Sequence, residues 1–299
     1  MKEGRGRRRG QERLVPVPLA EKSAEHSGYA SEVARTGKAG HAAAPGRGAA
    51  NSAPAQAGPA AHATHAHPCA TPWPVSIATY NIHSAIGTDG RFDPQRIAGV
   101  LNELDADIVA LQEVPLGGAG MPDVLAMLAE ATGMVGIAGP THEREGKWFG
   151  NAVLSRHPIL ATRNIDISFG SREPRGALDT DILCHGQPLR VIATHLGLRP
   201  AERRDQITRL LDVFDTDTMP VILLGDVNEW FVWGRPLRWL VAHFEPVPAP
   251  RTFPARWPLF ALDRIWIRPR HRLVHVRVHR SLLARLASDH LPLLAHIEA

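Results

Sequence analysis

The sequence predicts an α/β fold from three features. Apolar stretches of strand length recur along residues 73–299, and several of them end at a polar side chain. Segments with apolar residues at helical spacing lie between these stretches, and three of them open at a proline. The chain has 299 residues, of which 44% are hydrophobic, so it can form a sizeable core. Such alternation of strands and helices is typical of α/β proteins.

Residues 1–72 differ in composition from the rest of the chain. They are rich in Arg, Ala, Gly and Pro and show no apolar period, so we expect a disordered basic tail. This tail has ten Lys/Arg against five Asp/Glu, whereas residues 73–299, predicted to form a single domain, have 24 against 25. A His-rich run at 62–67 could bind a stray metal, but a flexible linker is the favoured interpretation.

The sequence also indicates a cellular compartment. Its two cysteines, Cys69 and Cys184, supply neither a disulfide framework nor a zinc cluster. There is no apolar run of transmembrane length, and no apolar secretion signal follows the basic start. We therefore expect a cytoplasmic protein, and we expect it to be a monomer.

The first strand and helix follow the tail. Residues 75–83 alternate apolar with small or polar residues, which indicates a strand that presents Asn81 near its end. Asp93 and Pro94 then form the N-cap and first turn of a helix.

The next elements carry a carboxylate. The apolar stretch 108–113 indicates a strand that ends at Glu113, and a carboxylate at the end of a buried strand needs a cation or a hydrogen-bonded partner. A second helix is predicted from Pro122 to Gly133, which closes it. Further strands are predicted at 150–155, 159–165 and 177–183.

A strand at 189–195 ends in His195. The helix that opens at Pro200 has apolar residues at helical spacing, with Arg203 and its polar neighbours predicted to face solvent. The following strand, 221–228, is apolar up to a Gly-Asp-Val-Asn sequence. Along an extended backbone Asp226 and Asn228 would point the same way, although an Asx-turn after a core strand is the simpler alternative.

The last part of the chain is locally basic. Residues 231–285 contain eleven arginines against Glu245 and Asp263, which indicates either a surface for phosphates or an anionic membrane, or a solvated arginine face. The aromatic loop at 230–234 is interpreted either as a lid on its own core or as a substrate rim. A short helix is predicted at 235–243, and strands are predicted at 262–267, 273–279 and 293–297.

Polar groups at strand ends or in adjacent turns provide the candidate chemistry. They are Asn81, Glu113, His195, Asp226, Asn228, Asp263, Asp289 and His290. Such oxygen ligands favour Mg²⁺ or Mn²⁺ over zinc. A Ser/His/Asp acyl-transfer site is the competing hypothesis, but the nucleophile elbow Gly-x-Ser-x-Gly is absent from the sequence. Metal-assisted phosphoester hydrolysis therefore fits the pattern better.

Seven short motifs in sequence order resemble those of the endonuclease/exonuclease/phosphatase (DNase I-like) superfamily. They are Thr-Tyr-Asn at 79–81, Leu-Gln-Glu at 111–113, Gly-Asn-Ala-Val-Leu-Ser-Arg at 150–156, Thr-His-Leu at 194–196, Gly-Asp-Val-Asn at 225–228, Leu-Asp-Arg-Ile at 262–265 and Ser-Asp-His at 288–290. Each motif is weak alone, but together they cover the domain. The resemblance implies a four-layer αββα sandwich of two mixed sheets flanked by helices.

The resemblance also implies roles for the strand-end residues. Glu113 would be the principal metal ligand, helped by Asn81 and Asp289, with Mg²⁺ or Mn²⁺ as the ion. Asp226 would orient or deprotonate the attacking water. Asn228 would hold the scissile phosphate.

Further roles follow from the same resemblance. His290 would contact the phosphate, with Asp263 fixing its tautomer. His195 would be a candidate acid for the leaving oxygen. Asn151 and Arg175 are weaker candidates for phosphate contact, since a turn amide and a surface guanidinium explain them as well.

Three functions remain open from the sequence. The first is a metal-dependent nuclease, which the arginine excess favours. The second is a phosphodiesterase or phosphatase that acts on phospholipid head groups or a small phosphate ester at an anionic membrane surface. The third is a non-catalytic binder of nucleic acid or membrane. The abasic-site endonuclease branch fits less well, because Tyr29 and Tyr80 are the only tyrosines and neither lies in a catalytic loop.

Overall fold

A computed structural model describes residues 74–214, 219–231 and 233–298, so the predicted tail at 1–72 lies outside the described residues. The helices are α1 (Pro94–Leu104), α2 (Val124–Thr132), α3 (Pro200–Val213), α4 (Arg235–Phe244) and α5 (Leu282–Ala287). The strands are β1 (Pro74–Asn81), β2 (Ile108–Gly118), β3 (Met121–Asp123), β4 (Val135–Arg144), β5 (Lys147–Ser155), β6 (Ile159–Asp166), β7 (Gly176–Cys184), β8 (Gln187–His195), β9 (Val221–Asp226), β10 (Asp263–Arg268), β11 (Leu273–Val278) and β12 (Leu293–Glu298).

The strands form two mixed sheets. The seven-stranded sheet has the order β11-β12-β1-β2-β5-β4, with β3 paired to β2, and the five-stranded sheet has the order β10-β9-β8-β7-β6. Each sheet contains one parallel pair, β1 with β2 and β8 with β9. The remaining pairs are antiparallel.

Three layers of buried apolar side chains separate the secondary structure into four layers. The first joins α1, α2 and α5 to the seven-stranded sheet, for example through Ile97 and Leu128. The second lies between the two sheets and includes Ile77 and Ile222. The third joins α3 and α4 to the five-stranded sheet. The predicted αββα sandwich is thereby confirmed.

Local sequence explains where the first helix begins and ends. Asp93 is the N-cap of α1, and its carboxylate accepts hydrogen bonds from the backbone N–H groups of Gln95 and Arg96. Pro94 occupies the first turn, where its missing N–H costs nothing. The helix ends at Asp105, which adopts a left-handed conformation with φ 48°. The start predicted from the Asp-Pro pair is confirmed.

Several predicted elements need correction. The second helix begins at Val124 rather than Pro122, because Asp123 is its N-cap and Pro122 lies in the short strand β3. The strand β4 and the helix α5 were not predicted. Strand β4 consists mostly of half-buried and exposed residues, so it lacks a clear apolar alternation. Helix α5 has only six residues.

Arg203 in α3 is buried, although it was predicted to face solvent. Its side chain is 2% exposed, and its Nε donates to Oε2 of Glu229 at 3.1 Å. The spacing explains the result, because Arg203 lies one turn before Ile207 on the face that packs against the sheet. Within the described residues, no helix is long and apolar enough to cross a membrane.

Candidate active site

The register of the five-stranded sheet brings three predicted residues into one row. His195 is the last residue of β8 and pairs with Asp226, the last residue of the parallel strand β9. Asp226 in turn pairs with Asp263, the first residue of the antiparallel strand β10. A carboxylate therefore stands between an imidazole and a second carboxylate at one edge of the sheet.

The seven-stranded sheet contributes Asn81 and Glu113. Asn81 ends β1, and its Nδ2 donates to Oε1 of Glu113 at 2.9 Å and to Oδ2 of Asp226 at 3.1 Å. Strand β2 continues past Glu113, contrary to the sequence prediction of a strand end. The β2–β5 pairing shifts register between Leu111 and Val114, and Glu113 has φ 55°. This bulge turns the carboxylate towards the cavity described below.

The turn after β9 positions Asn228. The strand ends at Asp226, whose Oδ1 accepts a hydrogen bond from the backbone N–H of Asn228 at 2.9 Å. Asn228 has φ 48°, so the two side chains are not placed by an extended backbone. The Asx-turn considered from the sequence is present, and it belongs to the site: Nδ2 of Asn228 lies 3.1 Å from Nε2 of His195.

His290 lies between two carboxylates. Its Nδ1 is 2.9 Å from Oδ2 of Asp263, and its Nε2 is 3.6 Å from Oδ2 of Asp226. Asp263 is fully buried and also accepts a hydrogen bond from Oγ1 of Thr252. Burial alone would lower the pKa of His290, but Asp263 and Asp226 outweigh it and raise the pKa to about 10. His290 is therefore a cation at neutral pH.

His195 has the opposite electrostatic environment. Burial and the positive charge of Arg175 lower its pKa well below the usual value, so the imidazole is neutral. NH1 of Arg175 lies 3.1 Å from Nδ1 of His195, and Nδ2 of Asn228 lies 3.1 Å from Nε2. Both neighbours are donors and the neutral ring has one acceptor nitrogen, so only one of these two contacts is a hydrogen bond to the ring. Nε2 also lies 3.6 Å from Oδ2 of Asp226 and 3.9 Å from Oε1 of Glu113.

The carboxyl group of Asp226 has a raised pKa. Burial raises its pKa to about 6, although the nearby charge of His290 and hydrogen bonds from the backbone of Asn228 and the side chain of Asn81 oppose this effect. Above that pH a carboxylate faces an imidazolium. Neighbouring titratable groups with such different pKa values are characteristic of acid–base sites.

These side chains open into a cavity of about 480 Å³. Its walls include Glu113, Asp226, Asn228, His195 and His290. A polar side is formed by Thr141, His142, Arg144, Asn151, Glu173 and Arg175, and apolar or aromatic residues include Phe149, Leu198, Trp230, Phe253 and Leu262.

Not all predicted site residues line the cavity. Asn81 and Asp263 are absent from its lining but form hydrogen bonds to residues that line it, Asn81 to Glu113 and Asp226, and Asp263 to His290. Asp289 is outside the lining, with Oδ1 4.0 Å from Nδ1 of His83, so its role as a metal ligand stays a prediction. Asn151 does line the cavity, but its Nδ2 donates to the carbonyl of Gly176, a contact that joins the two sheets.

A hard divalent cation fits the donors at Glu113. Its side chain is 33% exposed, in contrast to the buried Asp226. Among the described residues, no group of three His, Cys, Asp or Glu side chains is arranged as a metal site. Mg²⁺ usually binds one or two carboxylates and takes its remaining oxygens from water and substrate. Oδ1 of Asn81, which accepts the N–H of His83, is the adjacent carbonyl oxygen.

Several residues of the site were missed by the sequence analysis. His142 and Glu173 lie in the cavity wall, and Thr252 supports Asp263. The buried pair of Arg203 and Glu229 fixes the start of the loop after Asn228. Two of these residues carried a signal: Glu229 directly follows the Gly-Asp-Val-Asn motif, and Arg203 lies one turn before Ile207 on the apolar face of α3.

The two mixed sheets, the flanking helices and the carboxylate–imidazole row define the class of DNase I-like proteins. The sequence profile of the Endonuclease/Exonuclease/phosphatase family matches residues 78–290. The chain belongs to this family, as the seven motifs predicted.

The chain is also similar to other proteins of known sequence or structure. An uncharacterized protein from Escherichia coli, YbhP, is 32% identical over 244 residues, which cover 74% of this chain and 95% of the relative. A crystal structure of an endonuclease/exonuclease/phosphatase from Beutenbergia cavernae is 26% identical with a TM-score of 0.65, covering 75% of this chain and 71% of that one. The structure of D. rerio TDP2 complexed with a single-strand DNA product is 18% identical with a TM-score of 0.57, covering 76% and 99%, and it supports the fold alone.

Proposed function

We propose that this protein is a divalent-metal-dependent phosphoester hydrolase that acts on phosphodiesters. The observation that carries the proposal is the position of Asp226, whose Oδ2 lies 3.6 Å from Nε2 of both His195 and His290 beside Glu113. A carboxylate able to accept a proton near pH 6 and an imidazolium able to stabilise an anion thus face one cavity.

The protein groups would divide the work as follows. Asp226 would take a proton from the attacking water, with its ionised form favoured by Asn81 and His290. The imidazolium of His290, held by Asp263, would stabilise the negative charge that builds on the phosphoryl oxygens. Nδ2 of Asn228 would donate to a phosphate oxygen.

His195 and Arg175 would act on the other side of the phosphate. As a neutral ring, His195 is not a cationic acid in the free protein, so its role as an acid towards the leaving oxygen stays a prediction. Arg175 supplies the fixed positive charge next to it. A Mg²⁺ or Mn²⁺ ion held by Glu113 and Asn81 would supply Lewis-acid stabilisation of a phosphate oxygen.

The substrate class is less constrained than the chemistry. Family membership and the local arginine excess at 231–285 support a nuclease, but none of these eleven arginines lines the cavity. Trp230 and Phe253 do line it, and they favour a second candidate, a phosphodiester with an apolar part such as a phospholipid head-group ester.

A comparison of substrates tests the proposal. The full chain is assayed with Mg²⁺ or Mn²⁺ on bis-p-nitrophenyl phosphate, p-nitrophenyl phosphate, plasmid DNA and anionic phospholipid vesicles, with Glu113→Gln as the blank. We expect metal-dependent turnover of the diester above the monoester. Turnover of DNA would establish the nuclease, and turnover of vesicles would establish the second candidate. Activity on none of them would contradict the proposed function.

A further inference from the structure

Two loops meet at the mouth of the cavity through ring contacts. The ring centroid of Trp230, in the loop after β9, is 5.8 Å from that of Phe253 and 4.7 Å from that of Phe260, both in the segment before β10. Trp230 and Phe253 also line the cavity. What these loops present to solvent is therefore close to the cavity.

The two loops present large apolar side chains to solvent. Phe231 is 59% exposed, Trp233 72%, Trp257 79% and Leu259 59%. We call these four residues, of which three are aromatic and one is a leucine, the aromatic rim. Single exposed apolar residues need no explanation, but four on adjoining loops beside a cavity indicate an interaction surface.

Exposed arginines flank the aromatic rim. Arg235 and Arg238 follow Trp233 in the first turns of α4, and Arg251 and Arg256 lie in the segment that carries Trp257. All four are exposed, and within the part of the chain that the structure describes none of them forms an ion pair. The only acidic residue between 230 and 260 is Glu245. The surface thus combines apolar tips with uncompensated positive charge.

We propose that the aromatic rim inserts into the interfacial region of an anionic lipid bilayer while these arginines contact lipid phosphates. Tryptophan side chains partition favourably into that interface, and basic residues near it are attracted by anionic lipids. A single-stranded nucleic acid fits less well. The rings of Phe231 and Trp233 are tilted by 35° to each other, and Leu259 offers no ring, so they do not form a flat stacking platform.

Docking in this way would bring the cavity to the membrane surface. An ester in a lipid head group could then reach Asp226 without leaving the bilayer. This consequence for the substrate rests on the proposed function, whereas the docking itself does not, because it requires neither the metal nor turnover.

Vesicle co-sedimentation tests the docking. The full chain is mixed with phosphatidylcholine vesicles that contain or lack phosphatidylglycerol, without added metal. We expect binding to the anionic vesicles that weakens as salt is raised. The double variant Trp233→Ser/Trp257→Ser is expected to lose at least about tenfold in affinity, since each change removes a whole apolar side chain from the interface. Arg251→Glu/Arg256→Glu should lose binding to anionic vesicles specifically.

The chain offers a matched control. Leu160 on β6 and Val274 on β11 are 55% and 61% exposed but lie outside the rim, so Leu160→Ser/Val274→Ser should bind vesicles like the wild type. Urea unfolding confirms that each variant is folded. If the double tryptophan variant is not, Trp257→Ser alone replaces it, because this exposed side chain contributes little to the core.

The outcomes separate docking from catalysis. Absence of vesicle binding by the full chain, or full binding by the tryptophan variant, would overturn the docking proposal. Oligonucleotide binding that the same tryptophan changes abolish, in the absence of vesicle binding, would assign the rim to nucleic acid instead. Vesicle binding without turnover of any phosphoester would support the docking and contradict the proposed function.

Discussion

Asn81 and Asp226 join the two sheets at the candidate active site. They are 145 residues apart, one at the end of β1 and the other at the end of β9, and Nδ2 of Asn81 donates to Oδ2 of Asp226 at 3.1 Å. The same amide nitrogen donates to Glu113 at 2.9 Å. One amide group therefore holds the carboxylate of the metal candidate and that of the base candidate, and it does so only when the sandwich is assembled.

The pH dependence of kcat/KM reports the free enzyme's acid–base groups. Asp226 must be ionised to accept a proton, so activity should rise as pH increases through about 6. His290 must be protonated to stabilise the phosphate, so activity should fall as pH increases through about 10. We expect a broad bell measured with bis-p-nitrophenyl phosphate at a constant free metal concentration. A profile that falls between pH 5 and 7 would contradict the assignment of Asp226.

Replacing Asn81 by alanine should move the acidic limb of that profile. The change removes a hydrogen bond that favours the ionised form of Asp226, so the pKa of Asp226 should rise. The acidic limb should shift to higher pH while the alkaline limb stays in place. A uniform loss of activity with an unshifted acidic limb would contradict this effect of Asn81 on Asp226.

The pair of Asp263 and His290 should behave as one unit. Asp263→Asn weakens the charge of His290, and His290→Ala removes it, so each change should lower kcat by about 10²–10³-fold. Either single change already weakens or removes the charge of His290, so the second change has little further effect on it. The double variant should therefore be at most about tenfold slower than the slower single variant. Simple multiplication of the two single effects would contradict a paired role.

A buried carboxylate away from the cavity, paired with two arginines, should contribute to the free energy of unfolding. Asp179 in β7 is fully buried and binds Arg163 and Arg190, at 2.9 and 2.7 Å. Burial opposes ionisation, but the two guanidiniums hold the pKa of Asp179 below its usual value. Its stabilising contribution is therefore present above the pKa of an unfolded aspartate and is lost as pH falls through the lower, folded pKa.

Asp179→Asn should lower the free energy of unfolding by about 2–3 kcal/mol at neutral pH. This is less than for a fully buried pair, because Arg163 is 43% exposed. Asp181→Asn, on the same strand, is the control and should cost about 1 kcal/mol or less, since the side chains of Asp181 and its partner Arg163 are 14% and 43% exposed. Urea unfolding at pH 7 measures both. Equal midpoints for the two variants would count against the buried network.

Much of the fold followed from the sequence because its signals are local. The Asp-Pro pair at 93–94 fixed the start of α1, and the apolar runs before His195 and Asp226 located β8 and β9. The layer arrangement needed the family resemblance, since apolar periodicity gives elements but not their packing partners. Arg203 shows a limit of this reasoning: its charge suggested solvent, whereas its position on the inner face and its partner Glu229 determine that it is buried.

The candidate site was predicted as a set of residues, but its geometry was not. The sequence indicated Glu113 at a strand end, whereas a bulge inside β2 positions it. Asp226 and Asn228 are arranged by a turn rather than by an extended strand. Burial and Arg175 lower the pKa of His195, whereas Asp263 and Asp226 raise the pKa of His290 against its burial. These surroundings come from segments distant in sequence, so no local pattern encodes them.

Hydrolysis of bis-p-nitrophenyl phosphate by the full chain, with Mg²⁺ or Mn²⁺ and after chelation, tests the central claim most directly. Glu113→Gln and Asp226→Asn should each lower kcat/KM by about 10²-fold or more. The surface variants Glu130→Gln and Asp212→Asn, with the same chemical changes on exposed helix positions, should retain wild-type rates. Isothermal titration with Mn²⁺ should show weaker binding to Glu113→Gln only. Metal-dependent turnover that survives in Glu113→Gln and Asp226→Asn would contradict the assignment of this cavity as the active site.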